Sequence, residues 1–100
     1  MKGEQERDMA ERYVLGLMLI DPFTIKASKV FGLTSRHFKN EKNKEIYRSL
    51  MKAFKASKDI PLQVIIDTCK VDKKYIAKLA MDVPTSANHK FYMKELRSMQ

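Results

Sequence analysis

Seven consecutive residues, Val14-Leu15-Gly16-Leu17-Met18-Leu19-Ile20, carry no polar side chain and end at Asp21-Pro22. That run constrains the fold more than any other feature of the chain. It is far shorter than the roughly 20 apolar residues of a membrane span, so it reads as an element buried inside a globule. Met9, Tyr13, Leu17 and Ile20 recur at helical spacing. The run is therefore the second half of a helix that is apolar nearly all round and covered on several sides. Asp8-Met9-Ala10-Glu11 has the spacing of a helix start, with Asp8 placed to accept the backbone N–H of Glu11. Gly16 costs roughly 1 kcal/mol relative to Ala in a helix interior, which points to another backbone packed closely there. Asp21-Pro22 ends the helix, because proline disfavours helical geometry in the residue before it.

The rest of the chain also reads as helix. Only six of 100 residues are Gly or Pro, and apolar residues recur at spacings of three and four. A short helix from about Phe23 to Val30 is closed by Gly32, and Thr34-Ser35 can cap another turn through Phe38. From about Asn40 to Ser57 a helix presents Ile46, Tyr47, Leu50, Met51 and Phe54 on one face. Lys44, Arg48, Lys52 and Lys55 form a separate basic stripe on it. Asp59-Ile60-Pro61 breaks the chain. In Leu62 to Lys70, Val64-Ile65-Ile66 favours strand by propensity, but no second run offers a partner, and a short helix is expected. Asp72 caps a helix from about Lys73 to Met81. After Val83-Pro84-Thr85-Ser86-Ala87-Asn88, a last helix carries Tyr92, Leu96 and Met99, with Thr85 or Ser86 as its cap. Helices joined by so short a turn are expected to be antiparallel neighbours. The expectation is an all-α single domain over residues 1–100. A small globular helical part (about 9–58) and a connecting segment (59–71) lead into a C-terminal antiparallel hairpin (72–99) that exposes Ile76, Leu79, Tyr92 and Leu96.

Charge invites a nucleic-acid reading, with 20 basic residues against 12 acidic and a net charge of +8. Residues 21–60 hold ten of the positive groups and four of the negative ones, so the excess sits mid-chain. The basic stripe also suits the helix dipole, with Glu41 and Glu45 early and Lys52, Lys55 and Lys58 late, so a structural reading suffices for it. Catalytic constellations are scarce. Gly3, Gly16 and Gly32 are too far apart for a phosphate loop, and no G-x-x-x-x-G-K-[ST] occurs. His37, His89 and Cys69 are not spaced as a zinc set, so no metal or other cofactor is expected. Either histidine reads as a surface or capping residue, and Cys69 as a small buried hydrophobe. Asp21, Asp67 and Asp82 read as turn or cap residues. The polar, acidic start lacks a secretory h-region, and one cysteine allows no internal disulfide, which together suggest a cytoplasmic protein.

The order of motifs carries a resemblance. Ala10-Glu11-Arg12-Tyr13-Val14-Leu15-Gly16-Leu17-Met18-Leu19-Ile20-Asp21-Pro22 resembles the opening helix of the N-terminal domain of DnaB-type replicative DNA helicases, an A-E-x-x-V-L-G-x-x-L-x-D-P pattern. Leu33 to Phe38 resembles its L-x-x-x-x-F element, and Glu45 to Met51 its I-[YF]-x-x-[IM] helix. Asp59-Ile60-Pro61-Leu62 stands where P-I-D-L is frequent. Tyr75-Ile76-Ala77-Lys78-Leu79 with Val83-Pro84-Thr85-Ser86-Ala87-Asn88 is similar to the family's Y-[IL]-x-x-L and V-P-T-A-A-N turn. The similarity covers about residues 9–99. The chain is several residues shorter than usual between Leu62 and Tyr75, lacks the glycine-containing bend there, and is more basic, which suggests a divergent or phage-encoded relative in a bacterial host.

The resemblance implies a non-catalytic collar domain. In that family six N-terminal domains assemble as three dimers through their hairpins and dock a DnaG-type primase or a helicase loader. It further implies self-association through Tyr75, Ile76, Leu79, Ala80, Val83, Pro84, Tyr92, Leu96 and Met99. ATP hydrolysis would belong to a separate motor domain, so the chain is either the N-terminal piece of a helicase or a standalone protein of the same fold. The alternatives are a small basic DNA-binding protein using Lys44, Arg48, Lys52 and Lys55, or a standalone regulator or loader with this fold.

Overall fold

An apolar run is buried on several sides only where several elements converge on it. The structure, a computed structural model, describes residues 3–56, 62–83 and 88–98. Its elements are α1 (Glu4–Ile20), α2 (Phe23–Val30), a 3-10 turn (Ser35–His37), α3 (Glu41–Ala56), α4 (Leu62–Thr68), α5 (Lys73–Met81) and α6 (His89–Ser98). The fold is all-α, with no strand among the described residues. The expected Asp59-Ile60-Pro61 break and the Thr85 or Ser86 cap lie outside the described residues.

Helices α2, α3, α5 and α6 all pack on α1. Val14, Leu15 and Met18 are fully buried there, each contributing about 2 kcal/mol of transfer free energy. The Met9–Tyr13–Leu17–Ile20 face behaves differently: Met9 and Ile20 are exposed, and Tyr13 and Leu17 half-buried. A helix apolar all round has more than one candidate core face, and packing decides which is covered. Gly16 meets the expectation of a close backbone. A Cβ built on it would collide with the Leu79 carbonyl oxygen and the Val83 side chain, so the end of α5 crosses α1 at this residue.

The expected helix start at Asp8 is displaced by a turn. α1 begins at Glu4, and Asp8 lies inside it, 3.0 Å from Arg12 Nε. Both side chains are substantially exposed, so the ion pair adds little. Glu11 does not reach back along its own helix. Its carboxylate, 1% exposed as a residue, accepts the backbone N–H groups of Lys39 (2.8 Å) and Asn40 (3.4 Å) and the Asn43 Nδ2 amide (3.0 Å). Tyr75 Oη donates in turn to Asn43 Oδ1, which ties α1, α3 and α5 through one polar chain. Burial pushes the Tyr75 phenol up, and the nearby Asp8 charge acts in the same direction.

Local sequence sets the remaining junctions. Asp21 Oδ1 accepts the Phe23 N–H at 3.0 Å to open α2. The helix closes at Gly32, φ +78°, where Gly32 N–H reaches the Lys29 carbonyl (3.0 Å) and Leu33 N–H the Ser28 carbonyl (2.9 Å). His37 is a capping residue, its Nδ1 accepting the Thr34 N–H at 2.9 Å. Burial lowers its pKa, with the Arg36, Arg97 and Lys39 charges adding to the shift and the hydrogen bond to the Thr34 backbone opposing it. Asn40 Oδ1 caps α3 by accepting from Lys42 (2.9 Å) and Asn43 (3.3 Å). Within α3, Tyr47 stacks on Phe38 at 4.7 Å and donates to the Leu33 carbonyl at 3.1 Å. Residues 62–68 are helical despite their β-branched run, because one side of α4 is enough to bury Ile65 fully, with Cys69 buried just beyond it.

The C-terminal helices require a correction. α5 begins at its Asp72 cap as expected, and Asn88 Oδ1 caps α6 by accepting from Lys90 (3.0 Å) and Phe91 (3.4 Å). Instead of a hairpin packed on itself and projecting, each helix lies on α1, with little contact between the two. Ile76, Leu79 and Leu96, expected on an exposed face, are core residues. The physical reason is α1: its two apolar flanks offer each helix more surface to bury than the other helix does.

Candidate interaction surfaces

Moving Ile76, Leu79 and Leu96 into the core leaves different side chains at the surface of α5 and α6. Tyr75, Ala80, Val83 and Tyr92 remain half-buried, whereas Pro84 and Met99 lie outside the described residues. Tyr92 meets the Tyr13 ring edge-to-face at 5.1 Å, and Phe91 meets Tyr92 at 5.2 Å. Tyr13 and Tyr75 line one groove between α1 and α5, of about 150 Å³, rimmed by Arg12, Lys78 and Asp82. Four aromatic residues thus form a strip across α5, α1 and α6, with Phe91 the most open at 53% exposure. Sequence reasoning named Tyr75 and Tyr92 but not Phe91, and it placed Tyr13 only on a helix face. The available signal was the Met9–Tyr13–Leu17–Ile20 face itself, an apolar stripe in excess of what the core covers.

The basic stripe of α3 lies on another side. Arg48, Lys52 and Lys55 are exposed, while Lys44 is half-buried with its Nζ 3.7 Å from Glu41 Oε1. Arg48 and Lys52 also rim a groove of about 540 Å³ between α3 and α4, to which Lys70 contributes a third cation. Its apolar lining is Ala53, Ala56 and Val64, the last 42% exposed. Lys70 and Val64 escaped sequence reasoning because only the packing of α4 on α3 brings them to the stripe. No described group of three His, Cys, Asp or Glu residues is placed to hold a metal ion. No described helix is long and apolar enough to cross a membrane.

The motif-bearing residues of α1 are accounted for by this architecture. Ala10, Val14 and Leu15 fill the core, Glu11 satisfies the backbone before α3, and Gly16 admits α5. Comparison with curated proteins and with solved structures returns no match. A model of the DnaB-like helicase N-terminal domain family matches residues 4–98, from the first residue of α1 to the last of α6. A match over nearly the whole chain, with its opening motif explained residue by residue, places this protein in the DnaB-like helicase N-terminal domain family.

Proposed function

We propose that this domain is the non-catalytic collar module of a hexameric replicative DNA helicase, acting in the cytoplasm through self-association and by docking a primase or loader. The observation that carries the reading is the aromatic strip. Tyr13, Tyr75, Phe91 and Tyr92 join three helices into one surface with a polar rim, the composition of a protein–protein contact. A two-fold contact would set this strip against its own copy, the commonest arrangement for identical chains. The self-association residues are then Tyr75, Ala80, Val83 and Tyr92, with Tyr13 and Phe91 replacing the buried leucines.

Sedimentation velocity over a concentration series tests it. The wild-type chain should associate reversibly, and Phe91→Glu should weaken association by about tenfold or more while leaving helicity intact. A wild type that stays monomeric at high micromolar concentration, or a Phe91→Glu variant that associates as well as wild type, would overturn the reading.

A further inference from the structure

The α3–α4 groove is separate from the aromatic strip, and its chemistry is more selective than net charge suggests. Arg48 and Lys52 stand one helical turn apart on one wall, about 6 Å by helix geometry. Neither has an ion-pair partner among the described residues. Lys70 provides the cation of the other side, and Glu45 is the one carboxylate in the lining. The rest of the lining is small: Ala53, Ala56 and Val64 are aliphatic, and Ser49 and Thr68 carry hydroxyls. Single-stranded nucleic acid is held by cationic grooves that also offer aromatic rings for base stacking, and no aromatic side chain lines this groove. A cation-bearing groove lined by small aliphatic and hydroxyl side chains is instead complementary to a helix with aliphatic residues on its inner face and carboxylates on its flanks.

We propose that the α3–α4 groove docks an acidic amphipathic helix of a protein partner. Two carboxylates at i and i+4 of that helix would match the Arg48–Lys52 spacing, and its aliphatic face would cover Val64. This rests on the reading of the domain as a docking module and gives that module a second, electrostatically selective surface.

The test uses the 100-residue chain and a fluorescent synthetic helix of about 18 residues, with Leu at i, i+3, i+4 and i+7 and Glu on both flanks. Anisotropy should report micromolar binding to wild type. Arg48→Glu with Lys52→Glu should weaken it by about tenfold or more. Circular dichroism should still show a folded helical chain, with at most a small fall in the thermal midpoint, since both side chains are exposed. A version of the helix with Lys in place of Glu should prefer the double variant over wild type. Val64→Asp, outside the cationic rim, should also weaken the acidic helix. No binding to wild type, or equal binding to the double variant, would overturn the proposal. So would a labelled oligothymidylate that binds wild type more tightly than the peptide and is lost in the double variant, since the groove would then be a nucleic-acid site. Sedimentation of the wild-type samples keeps the two readings apart: a monomeric wild type that binds the peptide refutes the strip and leaves the groove, and an associating wild type that does not bind it refutes the groove alone.

Discussion

Helices α1 and α3 are nearly equal in length, 17 and 16 residues, yet they occupy opposite positions in the molecule. α1 buries Ala10, Glu11, Val14, Leu15, Gly16, Met18 and Leu19 under four neighbouring helices. α3 buries only Asn43, Ile46, Tyr47 and Leu50 and turns its cations to solvent. The comparison separates two uses of sequence. The buried residues of the α1 motif are committed to holding other helices in place, so they have little freedom to contact a partner. Arg48, Lys52 and Lys55 of the α3 stripe are exposed, so changing them should disturb the fold little.

Leu79→Asp should break the α1 side most severely. It places a carboxylate where α5 meets α1 and removes a buried leucine, for about 5 kcal/mol or more. Total stabilities of domains this size are about 5–15 kcal/mol, so circular dichroism should show loss of the folded state. A variant that instead remains fully helical and becomes monomeric would return Leu79 to an intermolecular surface.

A matched pair sharpens the contrast at intermediate scale. Glu11→Ala leaves the Lys39 and Asn40 N–H groups and the Asn43 amide without their buried acceptor, and should cost about 3 kcal/mol in urea unfolding. Lys52→Ala on the open face should stay within about 0.5 kcal/mol of wild type. Equal shifts in the two variants would remove the distinction drawn between the helices.

The smallest effect belongs to His37, in the turn that packs on α3. Its pKa is lowered by burial, so the unfolded chain binds the proton more readily than the folded one. This contribution to stability is complete above the ordinary value of 6.5 and declines as pH falls below it, until the folded group also titrates. Thermal midpoints of wild type should therefore fall faster over this acidic range than those of His37→Gln. Parallel curves would mean the imidazole stays accessible to solvent protons in the fold.

Much of the architecture is legible locally because the devices are local. Gly32 closes α2, Asn40 falls at the start of α3, Asp72 caps α5, and Gly16 announces a backbone crossing. Each is a short-range requirement of backbone geometry or hydrogen bonding. Surface residues are harder to read. Leu79 and Tyr92 carry the same apolar signal in the sequence, yet one is enclosed by α1 and the other remains at the surface beside Tyr13. Periodicity states which residues share a face, and says nothing of which neighbour arrives to cover it.

The sequence by itself determined the all-α class, the helix boundaries other than the start of α1 to within about a turn, and the family, because these follow from periodicity, capping and motif order. Only the tertiary structure decided that α5 and α6 lie on α1 rather than on each other, that Glu11 reaches across to the start of α3, and that Val64 and Lys70 meet the α3 stripe. Those outcomes depend on competition among distant surfaces for burial and on buried donors finding an acceptor, and neither is encoded within any one helix.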